Sequence, residues 1–253
     1  MLPLPVQRLD EADEAPREPI LGFVPIKAPA DGAANEWQLW QLADSAFPTG
    51  GFAHSNGLEA AWQHGEVRDG AQLAGFIEAS LRQLGHGALP FVTAAHDQPD
   101  RLGELDRLCE AFLTNHVTNR ASRLQGRALL ASAERIFAPP ALRRLKESPE
   151  HEPPCGHLAP IFGVVARALG LGRESAGRLF FFLHLRSLTA SAVRLGFVGP
   201  LEAQALQHRL GPRAEGILTR GQDLAVDAIA VTAPLLELWQ GTQDRLYSRL
   251  FQS

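Results

Sequence analysis

Two stretches of this 253-residue chain gather side chains able to do chemistry. In the first, Asp44, Ser45, His54 and Ser55 supply the carboxylate, hydroxyl and imidazole of a nucleophilic hydrolase. In such a site the imidazole takes the hydroxyl proton and the carboxylate fixes the ring tautomer, so geometry decides and nearness in sequence does not. No G-x-S-x-G turn exposes either serine. Among helices, Ser and Asp more often act as caps, and that reading is favoured here. In the second stretch, His151, Cys155 and His157 lie within seven residues, with Glu152 between them. Imidazole and thiolate suit nickel or zinc. Pro153 and Pro154 stiffen the loop, however, and neither C-x-x-C nor a paired H-x3-H spacing supplies the four ligands of a structural site. The simpler reading is a solvated loop with His157 near a helix N-terminus.

Two further patterns invite a phosphate. The run Pro48–Gly57 is Gly-rich but contains no Lys and lacks the G-x-x-x-x-G-K-[ST] order, so it reads as a tight turn. Arg120, Arg123 and Arg127 stand at i, i+3 and i+7, a row that could reach a nucleotide held by a partner. A solvated helix face explains the same spacing.

The elements that position these groups are helical. Ala and Leu dominate from Glu36 onward, and Val, Ile and Tyr are sparse, so strand propensity is weak. Trp37, Trp40 and Leu42 precede the first polar stretch near helical spacing, and Leu58, Ala61 and Trp62 follow it. Between them Pro48 breaks the helix and Gly50 and Gly51 allow a tight turn. Asn56 is expected to cap the next helix, with Glu59 reaching back as in a capping box. Phe47 and Phe52 either anchor this turn or face a partner.

Helices are predicted from Asp69 to Leu84, ended by Gly85, and from about Pro90 to His96. Others run from Asp100 to about His116 and from Asn119 to Phe137, where Pro139 and Pro140 intervene. A short one is expected over Ala141–Lys146. After a Pro-rich loop come His157–Leu169 and Glu174–Leu195, the latter apolar all round near Phe180, Phe181 and Phe182 and so central to a bundle or beneath a partner. Leu201–Gly221 should be broken by Gly211–Pro212, and Asp223–Trp239 should form one more helix. The segment Gln240–Ser253 reads as a tail awaiting a partner. No internal repeat is visible. The expected fold is all-α, a single helical bundle of roughly ten helices over residues 36–253. Residues 1–35, rich in Pro, Ala and acidic groups, are expected to be a disordered extension.

Bulk properties narrow the function. A net charge of −4 argues against a nucleic-acid surface, which usually carries a basic stripe. Cys109 and Cys155 are the only cysteines, so no disulfide framework exists and a reducing cytoplasm fits. Asp10, Glu11, Asp13 and Glu14 interrupt the N-terminal region, so no signal peptide is expected. Apolar runs are too short for a membrane span. Residue chemistry alone indicates a soluble helical binding protein without a recognisable active site.

The first polar stretch also resembles a known family. Asp44, Ser45, Ala46, Phe47, Pro48, Gly50, Phe52, His54, Ser55, Gly57, Leu58 and Glu59 match the D-S-A-F-P-x-G-x-F/Y-x-H-S-x-G-L-E pattern of the UreF urease accessory proteins. His157–Leu171, Leu188–Gln204 and the ending Leu246–Ser253 resemble later parts of that family, while Asn56 and His151–Gly156 do not belong to the pattern. The resemblance implies an all-helical, dimeric, cytoplasmic adaptor and no enzyme. Such a protein bridges a UreD/UreH-type accessory protein and the GTPase UreG and modulates GTP hydrolysis. The assembled complex loads nickel and carbonated lysine into apo-urease. GTP is bound by the partner, and nickel is handled in the complex with no cofactor held firmly by this chain. On this reading Asp44, Ser45, Phe47, Pro48, Gly50, Phe52, His54, Ser55 and Glu59, with Tyr247, Arg249, Leu250 and Phe251, are candidate partner contacts. Phe47 and Phe52 would be anchors, and the polar residues either contacts or the scaffold of the turn. A direct nickel carrier using His151, Cys155 and His157, or a helical Ser/His hydrolase, are the alternatives.

Overall fold

The computed structural model describes residues 33–142 and 155–253. Among them ten α-helices and no strand are present, as the Ala/Leu-rich sequence predicts. They are α1 (Ala33–Ala43), α2 (Leu58–Gln63), α3 (Gly70–Gln83), α4 (Leu89–Asp97), α5 (Leu102–Phe112), α6 (His116–Phe137), α7 (Leu158–Ala168), α8 (Arg173–Arg194), α9 (Pro200–Gly221) and α10 (Pro234–Thr242). Residues 140–142 begin a further helical turn. Of the expected extension only residues 33–35 are described, and they already belong to α1; residues 1–32 and 143–154, His151 included, lie outside the described residues.

Local signals explain most boundaries. The Asp69 carboxylate accepts from the N–H groups of Ala71 and Gln72 at 2.9 and 2.8 Å and starts α3. Asn115 caps α6 in the same way, accepting from Val117 at 3.0 Å. Ala138 ends α6 in the left-handed conformation just before the two prolines.

Three boundaries differ from expectation. Gly85 does not stop α3; the chain passes through a wide π-type turn, Leu84–Ala88, directly into α4. Pro212 does not break α9, which is continuous. Leu206, Leu210, Ala214 and Ile217 are buried on both sides of it, while Pro212 and His208 are exposed, so water can take the carbonyl that Pro212 leaves without a donor. No α-helix covers Asp223–Ala233, where only a 3-10 turn, Val226–Ala228, forms. There the Gln83 side chain accepts from the N–H groups of Thr232 and Ala233 at 2.6 and 3.0 Å, holding the strand-prone run Ile229–Thr232 extended until Pro234 starts α10.

The core lies in two connected parts. One is built by Leu42, Phe47, α4, α5, α6, α7 and the first half of α8. The other is built by α2, α3, the second half of α8, α9, Leu236 and Phe251. The helix that reads as apolar all round, α8, runs through both and packs on α1, α2, α3, α4, α7 and α9. Among the described residues no helix is long and apolar enough to cross a membrane.

Candidate functional site

The polar turn after α1 is a scaffolded corner. Asp44 Oδ1 accepts from the Ala46 N–H at 2.9 Å, and the Ser132 hydroxyl on α6 donates to the Pro48 carbonyl at 3.1 Å. Arg186 on α8 donates to the Ala43 carbonyl. Phe47 is buried and stacks on Phe137 with ring centroids 6.0 Å apart. Gly50 is left-handed, a short 3-10 turn follows over Gly51–Ala53, and Phe52 stands 75% exposed at its tip. The two Phe residues, alike in sequence, thus have opposite surroundings.

The C-terminal segment folds onto this corner. The Ser55 N–H donates to the Ser253 main-chain oxygen at 2.5 Å and the Ser55 hydroxyl to the same oxygen at 3.1 Å. The Gln252 N–H donates to the Ala53 carbonyl at 2.8 Å. His54 Nδ1 lies 2.5 Å from Ser253 Oγ. Burial, with Arg120 contributing, depresses the His54 pKa to about 4, so its ring is neutral at pH 7.

Glu59 is the centre of the arrangement. Its carboxylate accepts from the N–H groups of Leu250 and Phe251 at 2.7 and 3.2 Å and from Gln243 Nε2 at 2.6 Å. It does not reach back to cap α2, because these three donors occupy it. The capping box expected with Asn56 is absent: Asn56 is left-handed and Gly57 precedes the helix. Gly57 has φ +84°, and a Cβ there would lie 2.8 Å from Gln240 Cγ of α10. Arg194 donates to the Phe52 carbonyl and lies over the buried Phe251 ring, 4.2 Å from its centroid. Tyr247 is fully exposed, Leu250 is 58% exposed, and Arg249 pairs with Asp244 at 3.1 Å.

The corner and the tail, read separately from the sequence, therefore form one surface. His54, Ser55 and Glu59 are its buried scaffold, while Phe52, Tyr247 and Leu250 are presented outward. The groups of a hydrolytic triad are not assembled: the His54 ring nitrogen faces Ser253, not Ser45 or Ser55. Each Arg of the α6 row has a partner within the chain. Arg120 is bidentate to Asp244 at 2.9 and 3.0 Å, Arg123 lies 3.9 Å from Glu110, and Arg127 donates to the Cys155 carbonyl at 3.1 Å.

Sequence reading missed Gln243, Arg194 and two acids of α5. Asp106, fully buried, accepts from the N–H groups of Gly156 and His157 at 2.9 and 2.8 Å. Its position among Leu102, Leu105 and Cys109 on an apolar stripe is the signal that marked it. Glu110, one turn on, meets His157 Nε2 at 2.7 Å, and that bond holds its carboxyl below the usual range. Cys155 joins them, its thiol pushed up first by burial and then by Asp106 and Glu110. A cavity of about 300 Å³ between the corner, α6 and α8 is mainly apolar. At its edge His184 Nε2 lies 2.7 Å from Ser80 Oγ, and burial lowers the His184 pKa to about 4.

Among the described residues the chain is helical, and one polar cluster fastens the C-terminal segment to a surface corner. The sequence model of UreF matches residues 67–211. Urease accessory protein F of Oryza sativa subsp. indica is 38% identical over 231 residues, covering 90% of this chain and 88% of that protein. Its namesake in Arabidopsis thaliana is 40% identical over 222 residues, covering 86% and 92%. Urease accessory protein UreF of Arthrobacter sp. (strain FB24) is 32% identical over 227 residues, covering 87% and 99%. The chain belongs to the UreF family.

Proposed function

We propose that this chain is a urease accessory adaptor that acts in the cytoplasm and carries out no catalysis itself. In this reading it works as a dimer, bridges a UreD/UreH-type accessory protein and a UreG-type GTPase, and modulates GTP hydrolysis on the partner. Nickel insertion into apo-urease is the outcome of the assembled complex. Family membership supports the urease role, and the relatives are named as urease accessory proteins. The observation that carries the adaptor reading is the latched surface. Glu59, His54 and Ser55 hold the tail while Phe52, Tyr247 and Leu250 stay exposed, and Arg194 joins the main chain of Phe52 to that of Leu250. Exposed aromatic and aliphatic anchors on a preordered frame are what a protein interface needs.

The test is co-expression with UreD/UreH-type and UreG-type proteins, followed by size-exclusion chromatography with light scattering. A stable complex with an altered GTPase rate is expected. A monomer that ignores both partners would overturn the adaptor reading.

A further inference from the structure

Glu110, Cys155 and His157 come from two parts of the chain, the end of α5 and the loop entering α7. Their ligand atoms, a carboxylate oxygen, a thiol sulfur and an imidazole nitrogen, lie within 4.8 Å of one another. Bonds of about 2.0 Å to N and O and about 2.3 Å to S place donors roughly 3.3–3.6 Å apart around a tetrahedral ion. The separation of 2.7 Å between His157 Nε2 and Glu110 Oε2 and the 4.8 Å limit bracket that spacing. Closing on an ion therefore needs only small side-chain movements; the Glu110 side chain is 38% exposed and already bonded to His157, with Arg123 3.9 Å from its other oxygen.

The frame beneath these donors is rigid without any ion. Asp106 binds the N–H groups of both Gly156 and His157. Arg127 holds the Cys155 carbonyl. Gly126 of α6 lets the helix press directly on this loop, since a Cβ there would lie 2.2 Å from the Gly156 carbonyl oxygen. The second nitrogen of His157 is also prepared. Nδ1 lies 3.1 Å from the Ser122 hydroxyl, which already accepts from the Leu158 N–H at 3.1 Å. A hydroxyl can donate to Nδ1 or accept from it. The ring proton can thus leave Nε2 for Nδ1 without losing a hydrogen bond there, the outer-shell support that metal-binding histidines usually have.

We infer that Glu110, Cys155 and His157 form a binding site for one divalent transition ion of the zinc and nickel class. Mixed N, S and O donors of borderline softness favour this class over magnesium or calcium. On binding, the Cys155 thiol releases its proton to solvent, Nε2 gives its lone pair to the ion, and one Glu110 oxygen supplies the third bond. The fourth position is left to water or to an incoming ligand, the pattern of an exchangeable site and not of a closed structural one. The site stands apart from the latched corner, and its ligands do not depend on the adaptor reading.

Cobalt(II) reports both thiolate ligation and tetrahedral geometry in its absorption, so it is the probe. Titration of the metal-free full chain with Co2+ is expected to give one equivalent with a near-ultraviolet thiolate charge-transfer band and intense visible bands. Zn2+ and Ni2+ should each displace it. Cys155→Ser should abolish the charge-transfer band, and Glu110→Gln should weaken binding by more than about tenfold. Both variants should keep the helical circular dichroism of the parent. The inference is overturned if the parent shows no charge-transfer band, or if folded Cys155→Ser keeps it. Equal Co2+ affinity in folded Glu110→Gln would equally overturn it.

Discussion

Glu59 and Phe251 lie 192 residues apart in sequence and meet through a buried hydrogen bond, the Phe251 N–H donating to Glu59 Oε2 at 3.2 Å. The same carboxylate takes the Leu250 N–H and the Gln243 amide. A residue that reads as a helix cap is thus the clasp between the start and the end of the bundle. Its replacement by Ala leaves the Leu250 and Phe251 N–H groups without an acceptor and Gln243 Nε2 with only the Phe251 carbonyl at 3.3 Å, at about 1–3 kcal/mol for each donor that water does not reach. Glu59→Ala should therefore lower stability by about 2–4 kcal/mol in urea denaturation. Amide exchange at Leu250 and Phe251 should rise with it. Unchanged protection at those two amides would refute the clasp.

The latch should also weaken in acid. His54 has a folded pKa near 4 against an ordinary 6.5, and His184 behaves alike; burial is the leading cause in both. The folded chain binds fewer protons than the unfolded chain between these values. Their contribution to stability is therefore complete above pH 6.5 and is lost as pH falls towards 4. Urea midpoints measured from pH 7 to pH 4.5 should decline, and the decline should be shallower in His54→Gln. An identical slope in that variant would remove His54 from the account.

Phe47 and Phe52 separate packing from recognition. Phe47 is in the core against Phe137, so Phe47→Ala should cost about 3–5 kcal/mol. Phe52 is exposed, so Phe52→Ala should change stability by less than about 0.5 kcal/mol. On the adaptor reading, Phe52→Ala alone should weaken capture of the partner proteins in co-purification. Full partner binding by a folded Phe52→Ala would remove it as an anchor.

How much of this was legible follows from the range of each interaction. The cap Asp69 acts over two or three residues, and α3 begins where it stands, whereas Asn115 starts α6 at His116, three residues before the expected Asn119. The apolar character of α8 placed it at the centre because burial on all sides leaves its mark along one segment. By contrast, Gln83 dictates the extended run before α10 from 149 residues away, and nothing near Thr232 announces it. Glu110 joins Cys155 and His157 from 47 residues upstream of the latter, and alone it looks like any solvated helix acid. The corner was visible as a motif because its turn is local. That its polar groups face the chain's own tail depends on packing across the whole bundle.

Pro212 offers a test of why α9 stays whole. It sits in the middle of a 22-residue helix, removes one N–H, and crowds the carbonyl four residues before it. The helix persists because Leu206, Leu210, Ala214 and Ile217 fix both halves in the second core. The strain is then a cost that packing outweighs, and restoring the N–H should recover part of it. Pro212→Ala should raise stability by about 1–2 kcal/mol. That is less than the roughly 3 kcal/mol helix penalty of proline, because the unfolded chain also gains freedom without the ring. The urea midpoint should rise with an unchanged slope. A loss of stability would mean that Pro212 makes packing contacts worth more than the missing bond, and that proline shapes α9 instead of being tolerated in it.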